Sequence, residues 1–179
     1  CVPVGCHTLI MEDTNGDGVV DVYDCRDDGD AGSAENIHVG DVRLRYESEM
    51  AYFCDHYDTV YGWVRIEVRD ATDLSALDCL REVTHGLSIE DSPTLLTATL
   101  PSLVSSPGFI RISGNEVLEE VAFPVLTGAV DSLVVVGEGT LDSLSLPQLQ
   151  SVSGEFSLSN CGTLLDFSSL SRTQVMTIT

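Results

Sequence analysis

Twenty-nine acidic residues against eight arginines, with no lysine, give this 179-residue chain a formal charge of −21. A surface of that sign repels nucleic acid and anionic lipid headgroups, and it suits calcium, a cationic partner or salty surroundings. Hydrophobic residues make up 43% of the chain but aromatics only 6%, so the core is aliphatic, and no stretch approaches the length of a transmembrane helix.

Residues 1–35 are turn-rich, acidic and poor in periodic apolar pattern, so their order is expected to come from a metal or a disulfide. Within them, DTNGDGVVDVYD at 13–24 places oxygen-bearing side chains at loop positions 1, 3, 5, 9 and 12: Asp13, Asn15, Asp17, Asp21 and Asp24. Gly18 takes the sharp turn, and Val19 offers its carbonyl. Calcium takes six to eight hard oxygens, and this spacing wraps them around one ion. The loop resembles that of an EF-hand, and more closely the calcium loops of dockerin and thrombospondin type 3 repeats. Asp24 stands where an EF-hand has glutamate. The following CRDDGD continues in thrombospondin style, which implies a second ion at Asp27, Asp28 or Asp30. No amphipathic helix flanks the loop, so calcium is expected as a structural staple rather than a sensor's switch; an acidic turn without metal is the alternative. A dockerin needs two such loops, so cohesin binding is not expected.

Six cysteines at irregular spacing point to disulfides and an oxidising, extracellular compartment. Cys54 and Cys79 bracket one repeat, and Cys6 and Cys25 flank the acidic loop, so these are the expected pairs. Cys1 and Cys161 remain unassigned. His7, His38, His56 and His85 form no metal-ligand spacing. A chain starting at Cys1 has the look of a processed product or an excised fragment.

Residues 36–59 are expected to cap a repeat array. IHVGDVRLRY reads as one short strand or two broken pieces, and ESEMAYFCDHYD as a short helix. From residue 60 a 23-residue repeat sets in. Val64, Leu87, Ile110, Leu133 and Phe156 form one row, and Ile66, Ile89, Ile112, Val135 and Leu158 another. Leu95, Leu118, Leu141 and Leu164 form a third, while Pro101, Pro124 and Pro147 keep the same interval inside L-P-x-L turns. Gly62, Gly86, Gly108, Ser132 and Gly154 precede the strands, where a tight corner would exclude a side chain or require positive φ. Apolar rows in fixed phase mean coils whose inward side chains stack in ladders. The beat breaks at the end: FSSL at 167–170 lacks the proline, and the strand Met176 to Ile178 arrives about three residues early. Its edge is expected to be open, covered by further chain or by a second subunit.

These rows resemble the receptor L domain, the leucine-rich solenoid of insulin- and EGF-receptor ectodomains and of many bacterial secreted proteins. The resemblance covers residues 54–179, with CDHYDTVYGWVRIE at 54–67 similar to the family's entry. It implies a mostly β, right-handed parallel β-solenoid without catalytic residues. The expected organisation is a calcium-binding segment at 1–35, a cap at 36–59 and a solenoid at 60–179.

Alternation places Arg65, Glu67, Ser88, Glu90, Arg111, Ser113, Val134, Val136, Ser157 and Ser159 on the outer face of the strands. Val134 and Val136 are apolar where solvent is expected, which marks a covered patch or two simply exposed valines. Arg65 and Arg111 would engage an acidic partner or form surface ion pairs. No G-x-S-x-G elbow and no convergent acidic or basic cleft is legible, so no enzyme is expected. The expectation is a secreted or surface-attached recognition and adhesion module binding protein or glycan. The alternative is a self-assembling subunit of an extracellular filament or surface layer, with Met176 and Ile178 at the assembly end.

Overall fold

The computed structural model describes residues 8–12, 22–26, 36–127, 129–136, 140–160 and 164–178. Its strands stack in parallel sheets as a β-solenoid of about six turns. In chain order they are β1 (Thr8–Glu12), β2 (Val22–Arg26), β3 (Ile37–Val39) and β4 (Val42–Leu44), then helix α1 (Glu47–His56), then β5 (Thr59–Tyr61) and β6 (Trp63–Ile66). After a 3-10 turn at Ser75–Leu77 come β7 (Glu82–Val83), β8 (Gly86–Glu90), β9 (Thr97–Thr99), β10 (Phe109–Ser113) and β11 (Glu120–Ala122). The last are β12 (Ala129–Val130), β13 (Ser132–Val136), β14 (Ser143–Ser145), β15 (Ser151–Ser159), β16 (Leu164–Asp166) and β17 (Arg172–Ile178).

The main wall runs β4-β6-β8-β10-β13-β15-β17, all parallel, with Val42, Val64, Leu87, Ile110, Leu133, Phe156 and Met176 in register. Two residues on, Ile66, Ile89, Val135 and Leu158 are wholly buried. Removing each such side chain from water is worth about 1.5–3 kcal/mol, and the ladder repeats that gain in every coil. A second wall is β9-β11-β14-β16, and a third begins as β3-β5-β7. Leu100, Phe123 and Leu146 accept hydrogen bonds from Leu103, Leu126 and Leu149 three residues on. Each proline thus occupies the second position of a β-turn, where its fixed φ fits. Main-wall strands end on left-handed residues at Asp91, Gly114 and Asn160 (φ 48°, 69° and 52°).

The corner glycines exclude side chains by contact, not by positive φ. A Cβ on Gly108 would lie 1.5 Å from the His85 carbonyl oxygen of the preceding coil. The corner row is Gly62, His85, Gly108, Asp131, Gly154, linked by the His85 and Asp131 N–H groups donating to Gly62 and Gly108. Gly86 and Ser132 therefore do not belong to it: they sit one residue on, opening β8 and β13 opposite Phe109.

The segment 36–59 contributes more than a cover. β3 and β4 pair in parallel with β5 and β6, so coil stacking starts before residue 60. Helix α1 packs Met50 and Phe53 into the core, and the expected Cys54–Cys79 disulfide ties it to the next coil. Residues 1–35 contain a feature absent from the sequence reading: β1 and β2 pair antiparallel, and β2 lies antiparallel to β3. At the other end β17 pairs with β15 two residues short of the repeat at Ser151–Arg172, and a register shift between Val152 and Glu155 takes up one more residue by Phe156–Met176.

Candidate functional site

The outer face of the main wall carries a chain of opposite charges across four strands. Arg43 on β4 donates through Nε to Glu67 Oε2 at 2.9 Å, and its Nη2 reaches the same oxygen. Arg65 pairs with Glu67 at 2.5 Å and with Glu90 at 3.1 Å, and Arg111 pairs with Glu90 at 2.9 Å. Arg43, Arg65 and Arg111 stand opposite one another, or opposite Ser88, because parallel register repeats the outward position in each coil. The guanidinium groups are about half exposed while the Glu67 side chain is 7% exposed. Burial alone pushes the Glu67 carboxyl up. The Arg43 hydrogen bond and the charges of Arg65, Arg43 and Arg45 outweigh it and hold the group below its ordinary value.

One outward position earlier, Trp63 on β6 and Phe109 on β10 meet across the intervening β8, with ring centroids 4.4 Å apart. They can do so because Gly86 lies between them, and a Cβ there would stand 2.7 Å from the Phe109 ring. Trp63 is 43% exposed, and its backbone N–H is pinned by Asp41 Oδ1 at 2.9 Å. The short side chains of β8 leave a groove of about 390 Å³. Its floor is Ser88; its walls are Trp63 and Arg65 on one side, Phe109 and Arg111 on the other. Glu90, bonded to both arginines, closes one end, and the aromatic pair closes the other.

Val134 and Val136 continue the outer face on β13, half-buried and 36% exposed respectively. Ser157 and Ser159 follow on β15. The expected face residues Arg65, Arg111, Val134 and Val136 therefore do share one surface. Trp63 and Phe109 were missed by the sequence reading, which began β6, β8, β10 and β13 one residue late. Their signal was available as two aromatics at twice the repeat interval with glycine between.

A second cleft, about 280 Å³, lies between α1 and the first coil and is lined by Val42, Leu44, Tyr52, Phe53 and Tyr57. His38 borders it, but its Nε2 is enclosed and without a hydrogen-bond partner among the described residues. Burial pushes the His38 imidazole down, against the raising charge of Asp41.

Of the expected metal ligands, Asp13, Asn15, Asp17, Val19 and Asp21 lie outside the described residues, as do Asp27, Asp28 and Asp30. Asp24 is described by its backbone alone, in β2 opposite Ile10 and His38. Cys1, Cys6 and Cys161 are outside the described residues, and Cys25 is described only as a backbone position in β2. At the C-terminal end Ile178 is 55%, Leu164 67% and Leu165 38% exposed, while Met176 is placed by its backbone opposite Phe156. No helix among the described residues is long and apolar enough to cross a membrane. No protein-family model, curated protein or solved structure matches this chain.

Proposed function

We propose that the protein is a non-catalytic extracellular recognition and adhesion module that binds protein or glycan through the outer face of the main wall. The observation that carries this reading is the concentration of exposed Trp63 and Val136, partly buried Phe109 and three half-exposed arginines on one face of a strongly acidic chain. Aromatic side chains offer large contact areas with few torsions to freeze, and arginine adds a planar fork of donors, so both are enriched at recognition hot spots. The face's carboxylates are engaged by guanidinium groups, which favours docking over acid–base work. The Cys54–Cys79 bond fits an oxidising location.

Calcium belongs to this reading as a staple. Asp13, Asn15, Asp17, Val19 and Asp21 fall in sequence between two paired strands, and Asp24 at the middle of the second. An ion there would fix the hairpin beside β3. At a calcium concentration of 100 times Kd the native state gains about 2.7 kcal/mol, so Asp17→Ala is expected to abolish a calcium-dependent rise in Tm.

The face is tested by immobilising the protein and passing cell-envelope extract over it. Trp63→Ala and Val136→Ser are expected to lose the retained macromolecule, and protease or periodate sensitivity then assigns it as protein or glycan. Equal retention by wild type and both variants refutes the reading. The alternative, a self-assembling subunit, draws on exposed Leu164, Leu165 and Ile178 along the last coil. It predicts ordered polymers in light scattering that Ile178→Asp dissolves.

A further inference from the structure

The groove over β8 has a chemistry more specific than a general docking face. Ser88 is 7% exposed, lines the groove, and its hydroxyl has no hydrogen-bond partner among the described residues. A largely buried residue whose hydroxyl opens into the floor of a cleft offers one donor and one acceptor that a ligand can take over from water. Around it stand groups that cannot easily move: Glu90 is held by two guanidinium groups, and Arg65 is held by two carboxylates. Each guanidinium has five N–H donors in a planar fork, and these pairs leave some of them directed elsewhere. The aromatic pair supplies an apolar wall at the far end.

Charge decides what fits. Arg43, Arg65 and Arg111 are balanced by Asp41 and Glu90 in the lining and by Glu67, which pairs with Arg43 and Arg65 beside it. The groove therefore has no net charge to attract an ion, and the remaining chain repels anions. The matching ligand is uncharged, rich in hydroxyls, and apolar on one face. Its volume lies at the small end of ordinary ligand sites, room for a short segment rather than a protein domain.

We propose that this groove is a subsite for a neutral sugar ring of a polysaccharide. The ring's apolar face lies against Trp63 and Phe109, and its hydroxyls bond Ser88 Oγ, Glu90 and the spare N–H groups of Arg65 and Arg111. This assignment rests on the outer face being the recognition surface, and it names the occupant. Because every member sits on a strand, little reorganisation is needed on binding, which favours affinity for an otherwise weakly held ligand.

Trp63 is the chain's one tryptophan, so intrinsic emission reads this groove directly. The probes are cellotetraose, mannotetraose and, as a charged control, trigalacturonate. The expected result is a saturable emission change with at least one neutral probe, weakened about fivefold or more in Ser88→Ala and about tenfold or more in Phe109→Ala, changes of the size one hydrogen bond and one stacked ring supply. No emission change with either neutral probe up to about 10 mM, well above a millimolar Kd, overturns the proposal. So does a response confined to trigalacturonate, or one that both variants retain at full strength. If the sugars fail while envelope retention still depends on Trp63, the occupant is wrong and the face stands; if retention is also indifferent to Trp63, the face itself fails.

Discussion

Asn115 is the most exacting test of the coil architecture. It is 3% exposed, and its side chain closes two backbone gaps at the corner that follows the main-wall strands. Oδ1 accepts the Ser92 N–H at 3.1 Å, and Nδ2 donates to the Ile89 carbonyl at 2.9 Å. Ser92 in turn accepts the Val68 N–H at 3.0 Å through Oγ, so the polar chain passes from coil to coil. Asn115→Ala leaves the Ser92 N–H buried without a partner, at about 1–3 kcal/mol, and under-satisfies a carbonyl at a smaller cost. The total is about 2–4 kcal/mol. With a urea m-value of about 2 kcal/mol/M, the midpoint should fall by about 1–2 M at unchanged m. Urea titrations followed by Trp63 emission and by circular dichroism measure it, and coincident curves justify the two-state reading. Asn115→Asp keeps the acceptor and loses the donor, so it should fall between wild type and alanine when corrected for its charge. A midpoint for Asn115→Ala within about 0.3 M of wild type would show that the corner does not depend on this side chain.

Other consequences are as direct. Gly108→Ala forces a Cβ onto the His85 carbonyl, a backbone atom that cannot yield, and should cost about 3 kcal/mol or more in a urea titration; Gly86→Ala meets the Phe109 ring, should cost about 1 kcal/mol, and should change Trp63 emission by separating the two rings. Reduction of Cys54–Cys79, or the double serine variant, frees a loop closed over a sequence separation of 25, and the chain-entropy relation gives a loss of about 3.5 kcal/mol, read as a lower thermal midpoint. His38 has its pKa lowered in the native state, so below the ordinary imidazole range the unfolded chain binds the extra proton. Stability should therefore fall as pH drops through about 6.5 toward the lower native value, and His38→Phe should flatten that slope in denaturation curves taken from pH 7.5 to 5.

The solenoid was legible because its rows are made of side chains that only burial explains. Val64, Leu87, Ile110, Leu133 and Phe156 keep one interval and lie side by side in the wall. The pairing of Cys54 with Cys79 followed from their positions around one coil. The first coil was not recognised as one, because Val42 and Leu44 precede Val64 and Ile66 by a slightly shorter interval and are followed by a helix instead of an L-P-x-L turn. The hairpin strands Thr8–Glu12 and Val22–Arg26 were hidden by the acidic stretch between them and the acids that follow Arg26. Ser92 and Asn115 read as ordinary polar turn residues, since nothing in a sequence marks which turn side chain faces inward. Trp63 and Phe109 escaped for a different reason: their contact depends on Gly86 occupying a strand, and that glycine had been assigned to the corner.

The alternation of corner residues has a wider consequence. Gly62, Gly108 and Gly154 take the positions where the neighbouring turn's carbonyl crowds the chain, and His85 and Asp131 take those between. The row opens with two glycines, Gly40 and Gly62, where a Cβ on Gly62 would lie 2.2 Å from the Gly40 carbonyl oxygen, and alternates only from there on. Within the alternating stretch, gain or loss of a single turn would set two like corners side by side, whereas a matched pair would leave every junction as it is.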